Sequence, residues 1–567
     1  MKNVSQWPVG IYSINRPGWA IADLANVFRN LYTIALYDTY GRTTLCYVIN
    51  HSDMSIIVAS SGRVVNLLKE IANLPTLKVI ICMDDLPKEA PDGSLSHALR
   101  NWAKNSNVHL FDFKEVEDFG KAYPVEPIPP SPNDLYTICY TSGTTGNPKG
   151  VMSTHWNYSC SASVTTLLVG MDTRISDVYL SFLPLAHTFE RLNIANIYFC
   201  NNTIGFYSGN MLTLVDDIGE LKPTIMAMVP RILHRIYDRI AAVGLEGQGI
   251  GPSLFRIGLQ KKLDQYRRGE GTENLIWDTL VFNKVRKILG GRLRCILTGS
   301  APISADVLDF LRVVMCPTIL EGYGLTETAA SGCLTMTDEN KAGHVGPPTI
   351  NTQVKLVDIP DMDYLSSDQP FPRGEICFKG ANVFKGYFKD PEKTAEAIDS
   401  DGWFHTGDVG LIDERGNIKI IDRKKNLFKL SQGEYIAPEK IENILSQNNK
   451  VAQIFVYGDS LQSKLVAIVV PDPESFLPWA KSITKDPSMD LAAAADNASV
   501  RKSLLGELTA LGKKAELNGF ELVQAIHIEL TPFSEENKLV TPTLKAIRPA
   551  MTKMYKNIIE QLYKEIN

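Results

Sequence analysis

Short, wholly apolar runs alternate with longer helical stretches over most of this chain, and that alternation limits the available folds more than any other feature. Tyr136–Tyr140, Thr203–Tyr207, Thr224–Met228 and Arg294–Leu297 read as buried strands, and stretches 232–243 and 305–314 as helices. A strand apolar on both sides must be covered on both faces, so the pattern predicts α/β architecture with helix-covered, parallel sheets. At ~150 residues per unit, 567 residues predict three or four folding units, fewer if helix-covered sheets merge into larger ones. No internal repeat or low-complexity tract interrupts the pattern.

The pattern changes near residue 420. Asn417–Asp422 reads as a strand and the charged Arg423-Lys-Lys425 as a linker. A helix at Pro438–Leu445 follows, then strands at Val451–Tyr457 and Lys464–Val470, two further helical stretches, and a strand at Gln524–Glu529. The expected organisation is a large domain over 1–422 and a smaller, mobile α+β domain over 423–567.

Composition excludes several function classes. Hydrophobic residues are 44% and charged residues 21%, ordinary values for a globular chain. A net charge of -5 argues against a binder that works by neutralising nucleic-acid phosphates. Nine cysteines without a CxxC pair read as reduced thiols of an intracellular protein. No run reaches the ~18 apolar residues of a membrane span, and neither a signal core nor a peroxisomal C-terminal tripeptide is seen. The expected location is therefore cytosolic or peripheral on a cytoplasmic membrane face.

The most chemically pointed segment is Tyr140-Thr-Ser-Gly-Thr-Thr-Gly-Asn-Pro-Lys-Gly150, directly after a strand. Gly143, Gly146 and Gly150 let the backbone approach an anion. Thr141, Ser142, Thr144 and Thr145 offer hydroxyl donors, and Lys149 adds a cation, a set that suits a triphosphate. It is not a Walker A loop: Pro148 precedes the lysine and Gly150, not Ser or Thr, follows it.

This segment resembles the phosphate loop of the acyl-adenylate-forming (AMP-binding) superfamily, and further segments follow in family order. Thr298-Gly-Ser-Ala-Pro-Ile-Ser304 and Glu321-Gly-Tyr-Gly-Leu-Thr-Glu-Thr328 resemble its adenine-side segments. Gly402–Asp408 resembles its ribose segment, Ile421–Leu427 its hinge, and Lys538–Lys545 its C-terminal lysine motif. Asp422-Arg-Lys-Lys425, Gly433–Glu442, Thr541-Pro-Thr543 and Ser13–Pro17 resemble the long-chain fatty acyl-CoA synthetase branch.

The resemblance implies that a fatty acid is activated by ATP to an acyl-adenylate, with release of pyrophosphate, and is then passed to coenzyme A with release of AMP. It implies that Thr141–Lys149, with Ser142, Gly143, Thr144, Thr145 and Gly146 between them, hold the phosphates. Gly299, Ser300, Ala301 and Pro302, with Glu321, Gly322, Tyr323 and Gly324, would hold adenine, Tyr323 stacking on the ring. Asp408 would accept the ribose hydroxyls with help from Arg423. Thr326 would donate to the α-phosphate and Glu327 would hold Mg²⁺, a hard cation that prefers oxygen ligands. Lys545 would neutralise the α-phosphate and carboxylate as a standing cation with no need of a depressed pKa. His187 would gate the acid pocket, Lys425 would be the hinge pivot, and Gly433 would border the coenzyme A channel.

Met228–Arg239 resembles the gate segment of the long-chain enzymes, with Leu233 at the gate position. Arg231, Arg235 and Arg239 recur at i, i+4, i+8 and read as a solvated stripe or a contact with anionic lipid headgroups. Long-chain synthetases carry roughly a hundred residues before the Asn-Arg-Pro segment, which here falls at Asn15–Pro17. An uncovered sheet edge or core face near the start is therefore expected. The same chemistry on medium-chain or aryl acids, and a catalytically dead nucleotide- or lipid-binding scaffold, stay open as alternatives. Chain-length preference, organelle and oligomeric state are not read from the sequence.

Overall fold

The computed structural model describes residues 6–141, 147–170, 176–315, 318–432, 434–541 and 545–566. Two large sheets carry most of the chain. In the first, six parallel strands run in the order Leu135–Thr141, Tyr32–Leu36, Pro8–Tyr12, Ile56–Ala59, Val79–Cys82 and His109–Asp112. Lys149–Thr154 and Gly386–Tyr387 extend it antiparallel beyond Leu135–Thr141.

The second sheet sets Thr318–Tyr323, Cys295–Thr298, Ile225–Met228, Val178–Ser181 and Thr203–Phe206 side by side, all parallel. Every residue of Ile225–Met228 and Cys295–Thr298 is buried, which is why these strands show no polar alternation. Helices start where the chemistry allows. Pro17 and Pro230 open theirs at a position whose N–H has no partner anyway, and Thr154 caps the next by accepting from the Asn157 N–H. The strands and helices expected around residues 136, 203, 224, 232, 294 and 305 are present within a residue or two.

A single apolar core from Val9 to Leu334 joins these two sheets. A third, antiparallel sheet (Thr352–Val357, Arg373–Gly380, Phe404–Ile412, Ile418–Arg423) has its own core around Phe378, Phe384 and Phe404.

The C-terminal unit is α+β. Val451–Tyr457 pairs antiparallel with Leu465–Pro471, which pairs parallel with Val523–Ile528. Leu465, Ala467 and Val469 face one core, shared with Ile441 and Leu504; Val466, Ile468 and Val470 face another, shared with Ile559 and Leu562. The side-chain period of two divides one strand between two cores, so it too is apolar throughout. A small cluster (Ile359, Tyr364, Val409, Leu427, Ala437) joins the third sheet to this unit.

The N-terminal segment is woven in deeply. Pro8–Tyr12 is a central strand, and Asn15 behind it donates to Ser181 Oγ (2.8 Å) and the Leu183 carbonyl (2.7 Å) and accepts from the Leu185 N–H (3.1 Å). Asp23 pairs with Arg191 (3.0 Å) inside the protein and accepts from the Tyr136 hydroxyl (3.0 Å), while the guanidinium lies over the Trp19 and Tyr136 rings. This part also shows Ile21, Leu24, Phe28, Val116 and Phe119 to solvent.

Breaking the Asp23–Arg191 pair from one side leaves a cation buried without its counter-charge. Asp23→Ala is therefore expected to cost ~3–5 kcal/mol, read as a lower denaturant midpoint in chemical unfolding.

Candidate active site

Parallel strands connected through helices put all their C-terminal ends on one rim, and the loops leaving that rim form the site. Four of the five parallel strands of the second sheet contribute. After Val178–Ser181 comes His187, after Ile225–Met228 come Val229 and Pro230, after Cys295–Thr298 come Gly299–Pro302, and at the end of Thr318–Tyr323 stand Tyr323, Thr326 and Glu327. All of them line one cleft of about 2140 Å³, together with Thr141, Lys149, Asp408, Arg423, Lys425 and Lys545. That volume exceeds the ~300–1,000 Å³ of an ordinary small-molecule pocket and gives room for more than one ligand.

Two glycines show how tightly the adenine-side loops are held. A Cβ on Gly299 would stand 2.8 Å from the Gly322 carbonyl oxygen, and one on Gly324 would stand 2.5 Å from the Ala330 carbonyl carbon. Glu321 lies behind this loop pair, with burial raising its carboxyl to about 8 against the pull of Arg312. Near neutral pH this side chain is a neutral acid able to donate a hydrogen bond.

The Tyr323 hydroxyl donates to Asp408 Oδ2 (2.5 Å), and Arg423 Nε lies 3.2 Å from Asp408 Oδ1. Asp408 and Arg423 are register partners on adjacent strands. The turn before Asp408 is fixed by Gly407, whose N–H donates to Glu375 (3.1 Å) and whose carbonyl accepts from the Lys424 N–H (2.8 Å). The ribose-side segment is thus bonded directly to the linker.

Thr141 and Lys149 are also register partners, at the ends of two antiparallel strands. The strands on either side of the glycine-rich stretch are therefore antiparallel neighbours, whereas a Walker A loop leads from a strand into a helix. Ser142, Gly143, Thr144, Thr145, Gly146 and, further on, Gly433 lie outside the described residues. The Lys149 ammonium sits 4.6 Å from the Tyr387 ring centroid, and the Tyr387 hydroxyl donates to Glu327 Oε1 (2.9 Å). Tyr387, which no sequence motif singles out, so joins the cation of one segment to the carboxylate of another; only pairing of Gly386–Tyr387 with Val151 and Met152 brings it there.

Glu327 and Thr326 offer hard oxygen donors. Among the described residues no three or more His, Cys, Asp or Glu side chains gather as a metal cage. A divalent ion here would take most of its ligands from phosphates and water, the habit of Mg²⁺, so the residues fit that ion with Glu327 as its protein ligand.

Lys545 lines the cleft, bonded to Thr541, whose N–H donates to the Lys545 carbonyl (2.9 Å) and whose Oγ1 accepts from the Lys545 N–H (3.1 Å). Leu539 and Val540, just before Thr541, sit in the core. Enclosure lowers the pKa of Lys545 and Arg423 lowers it further, against Glu439, Asp408 and Glu327. The lysine expected to serve as a standing cation with no need of a depressed pKa is thus shifted down, chiefly by its enclosure. Lys425 feels the same, lowered by burial, then by Arg423, with Lys149 contributing.

Beside the linker, Asp422 Oδ2 accepts from the Glu439 N–H (3.0 Å), and Asn426 donates to Glu439 Oε1 (2.6 Å). Leu233 is wholly buried in the main core, and Arg231 and Arg235, with His234, line the cleft; Arg239 is exposed outside it. The basic stripe is therefore divided between the cleft and solvent.

His187 caps the helix Thr188–Phe199, its Nδ1 accepting from the Phe189 N–H (3.2 Å), which puts the ring proton on Nε2. Burial, and then Lys545, push its pKa down from 6.5 to about 4. Between those two values the unfolded chain binds a proton that the folded ring refuses, so this group's contribution to stability is lost as pH falls through that window. Imidazole NMR is expected to show the His187 ring titrating near pH 4, and His187→Gln to flatten the stability profile between pH 4 and 6.5.

Comparisons with known proteins agree with this geometry. The family model of AMP-binding enzymes matches residues 4–388. Fatty acyl-CoA synthetase A of Dictyostelium discoideum is 42% identical over 98% of this chain and 82% of its own length. Long-chain-fatty-acid–CoA ligase 1 of Homo sapiens is 42% identical over 98% of this chain and 78% of its own. The adenylation domain of a carboxylate reductase from Mycobacterium chelonae superposes with a TM-score of 0.79 at 26% identity, over 99% of this chain and 81% of that one. The corresponding domain from Segniliparus rugosus, solved with AMP and a co-purified carboxylic acid, gives 0.75 at 26% identity, over 99% and 83%. With the family model covering well over half of its residues, this chain belongs to the AMP-binding enzyme family.

Proposed function

We propose that this chain activates a long-chain fatty acid to its coenzyme A thioester at the expense of ATP. The observation that carries the reading is the meeting of Lys149, Tyr323, Asp408 and Lys545 on one cleft, from four distant stretches of sequence. The 42% identity to long-chain fatty acid–CoA ligases supports the substrate class.

A carboxylate is a poor acyl donor because its leaving group would be oxide. Its oxygen attacks the α-phosphorus of ATP; a P–O bond forms, the bond to the β-phosphate breaks, and pyrophosphate leaves. Coenzyme A's thiol, losing its proton, then forms a C–S bond at the carbonyl while the bond to AMP breaks. The first step needs positioning and charge neutralisation above all.

Asp408 and Arg423 hold the ribose, and Tyr323 bears on the adenine from the strand end while fixing the Asp408 carboxylate. Lys149 faces the β- and γ-phosphates, and Lys545 the α-phosphate and carboxylate. Mg²⁺, when bound, supplies charge neutralisation at the phosphate oxygens. Glu327 holds it, oriented by the Tyr387 hydroxyl. The phosphates bring counter-charge to an enclosed lysine and so raise Lys545 back toward its ordinary range. His187, neutral at physiological pH, offers its Nε2–H toward the acyl carbonyl without adding a charge.

Residues 1–422 form the adenylation domain and 423–567 a second domain that turns about Lys425 between the two half-reactions. Such a pivot suits this linker: Asp422 and Arg423 belong to the third sheet, while Asn426 already bonds to Glu439 of the following helix. A few φ/ψ changes between two rigid units exchange whole surfaces. The turn would withdraw Lys545 and bring the Gly433 segment to the cleft.

AMP release with coenzyme A and fatty acids of graded length tests the substrate, and is expected to rise toward long chains; a maximum on medium-chain or aryl acids would overturn the long-chain reading. Lys545→Ala is expected to cut pyrophosphate exchange by ~10²-fold or more while sparing thioester formation from supplied acyl-adenylate. Lys425→Pro, which fixes the backbone φ at the pivot, is expected to do the reverse, and loss of both half-reactions together would count against the pivot.

A further inference from the structure

The helix Ile250–Arg267 has two apolar sides. Phe255, Leu259 and Tyr266 face the protein, and a Cβ on Gly258 would stand 2.6 Å from the Trp277 ring. Ile250, Leu254 and Ile257, one helical face apart, point the other way, with Ile250 82% exposed. The adjoining segment adds Leu275 (86%), Ile276 (67%) and Leu280 (55%). Residues 243–288 hold 8 of the 29 exposed large apolar side chains among the described residues, far beyond their share of the chain.

Charge collects in the same place. Residues 239–292 carry ten basic and five acidic side chains, net +5 in a chain whose total is -5. Arg256, Lys261, Arg268, Lys284 and Lys287 are all exposed in the same stretch as the apolar residues, Arg268 alone of them paired with a neighbouring carboxylate, Glu270 (2.7 Å). The exposed apolar residues Val116 and Phe119 lie instead in a stretch (113–126) with four acidic and two basic residues. An apolar face ringed by cations is complementary to an anionic bilayer surface, and one ringed by anions is not.

We infer that the helical face Ile250–Leu280 docks the enzyme on an anionic lipid bilayer. The helix lies in the interface and does not span it, since no helix among the described residues is long and apolar enough to cross. Its place in the fold gives the contact a use. The preceding helix, Pro230–Gly244, presents Arg231, His234, Arg235 and Asp238 to the cleft, and its last residue packs on Phe255 of the docking helix. One helix thus separates the lipid contact from the cleft, and a long-chain acid resides in the membrane. The inference deepens the proposed ligase reading by naming the surface from which its substrate is drawn.

The test is co-sedimentation of the full chain with vesicles of phosphatidylcholine, alone or with roughly 30 mol% phosphatidylserine. The wild type is expected to bind the phosphatidylserine vesicles, less so as salt rises. The combined variant Ile250→Asp, Leu275→Asp, Ile276→Asp is expected to bind at least about tenfold more weakly. Lys284→Glu with Lys287→Glu is expected to lose only the preference for phosphatidylserine. Both variants should keep AMP release on detergent-dispersed acid within about twofold, because none of these residues lines the cleft. Wild type left in the supernatant, or aspartate variants that bind as well as wild type, would overturn the docking surface. So would aspartates that break a dimer and leave vesicle binding unchanged. Absence of ligase activity in detergent would instead overturn the function and leave the vesicle result standing.

Discussion

Asp408 holds three parts of the molecule together. Its carboxylate is 4% exposed and accepts from Tyr323 of the second sheet on one oxygen, while Arg423, at the edge of the linker, pairs with the other. A carboxylate so buried persists only if it is paired, so the second sheet, the third sheet and the start of the linker are held at one relative position. Tyr323, Asp408 and Arg423 then stand as one preformed unit. Thr406 completes it, donating to the Ile376 carbonyl (2.7 Å) and accepting from the Asp408 N–H (3.0 Å). A ligand that meets these three side chains finds little backbone left to order on this side.

The parts of the fold legible in the sequence are those where one local rule decides. Ile225–Met228 had to be a parallel strand because every residue is apolar, and Pro438–Leu445 had to start a helix at its proline. The site segments were legible because glycine and hydroxyl residues at fixed spacing resemble a known family. What escaped depends on register between distant strands or on pairs far apart in the chain. Tyr387 reaches Lys149 and Glu327 only through a two-residue strand paired with the hairpin. Asn15 is an ordinary polar residue until its side chain meets residues 181–185. The arginine spacing at 231, 235 and 239 gave a helical face correctly, but not its neighbours: two of the three look into the cleft because a second domain stands opposite.

Lys149, Arg423, Lys425 and Lys545 converge on one volume, and burial lowers the pKa of Lys425 and Lys545, with Arg423 adding to it. Glu327, Asp408 and Glu439 pull the Lys545 pKa the other way, and Asp408 is already committed to Arg423 and Tyr323. Cations enclosed away from water in this manner are stabilised by a polyanion, and a triphosphate is one, so the charge of the cleft and the resemblance of its segments point to the same ligand.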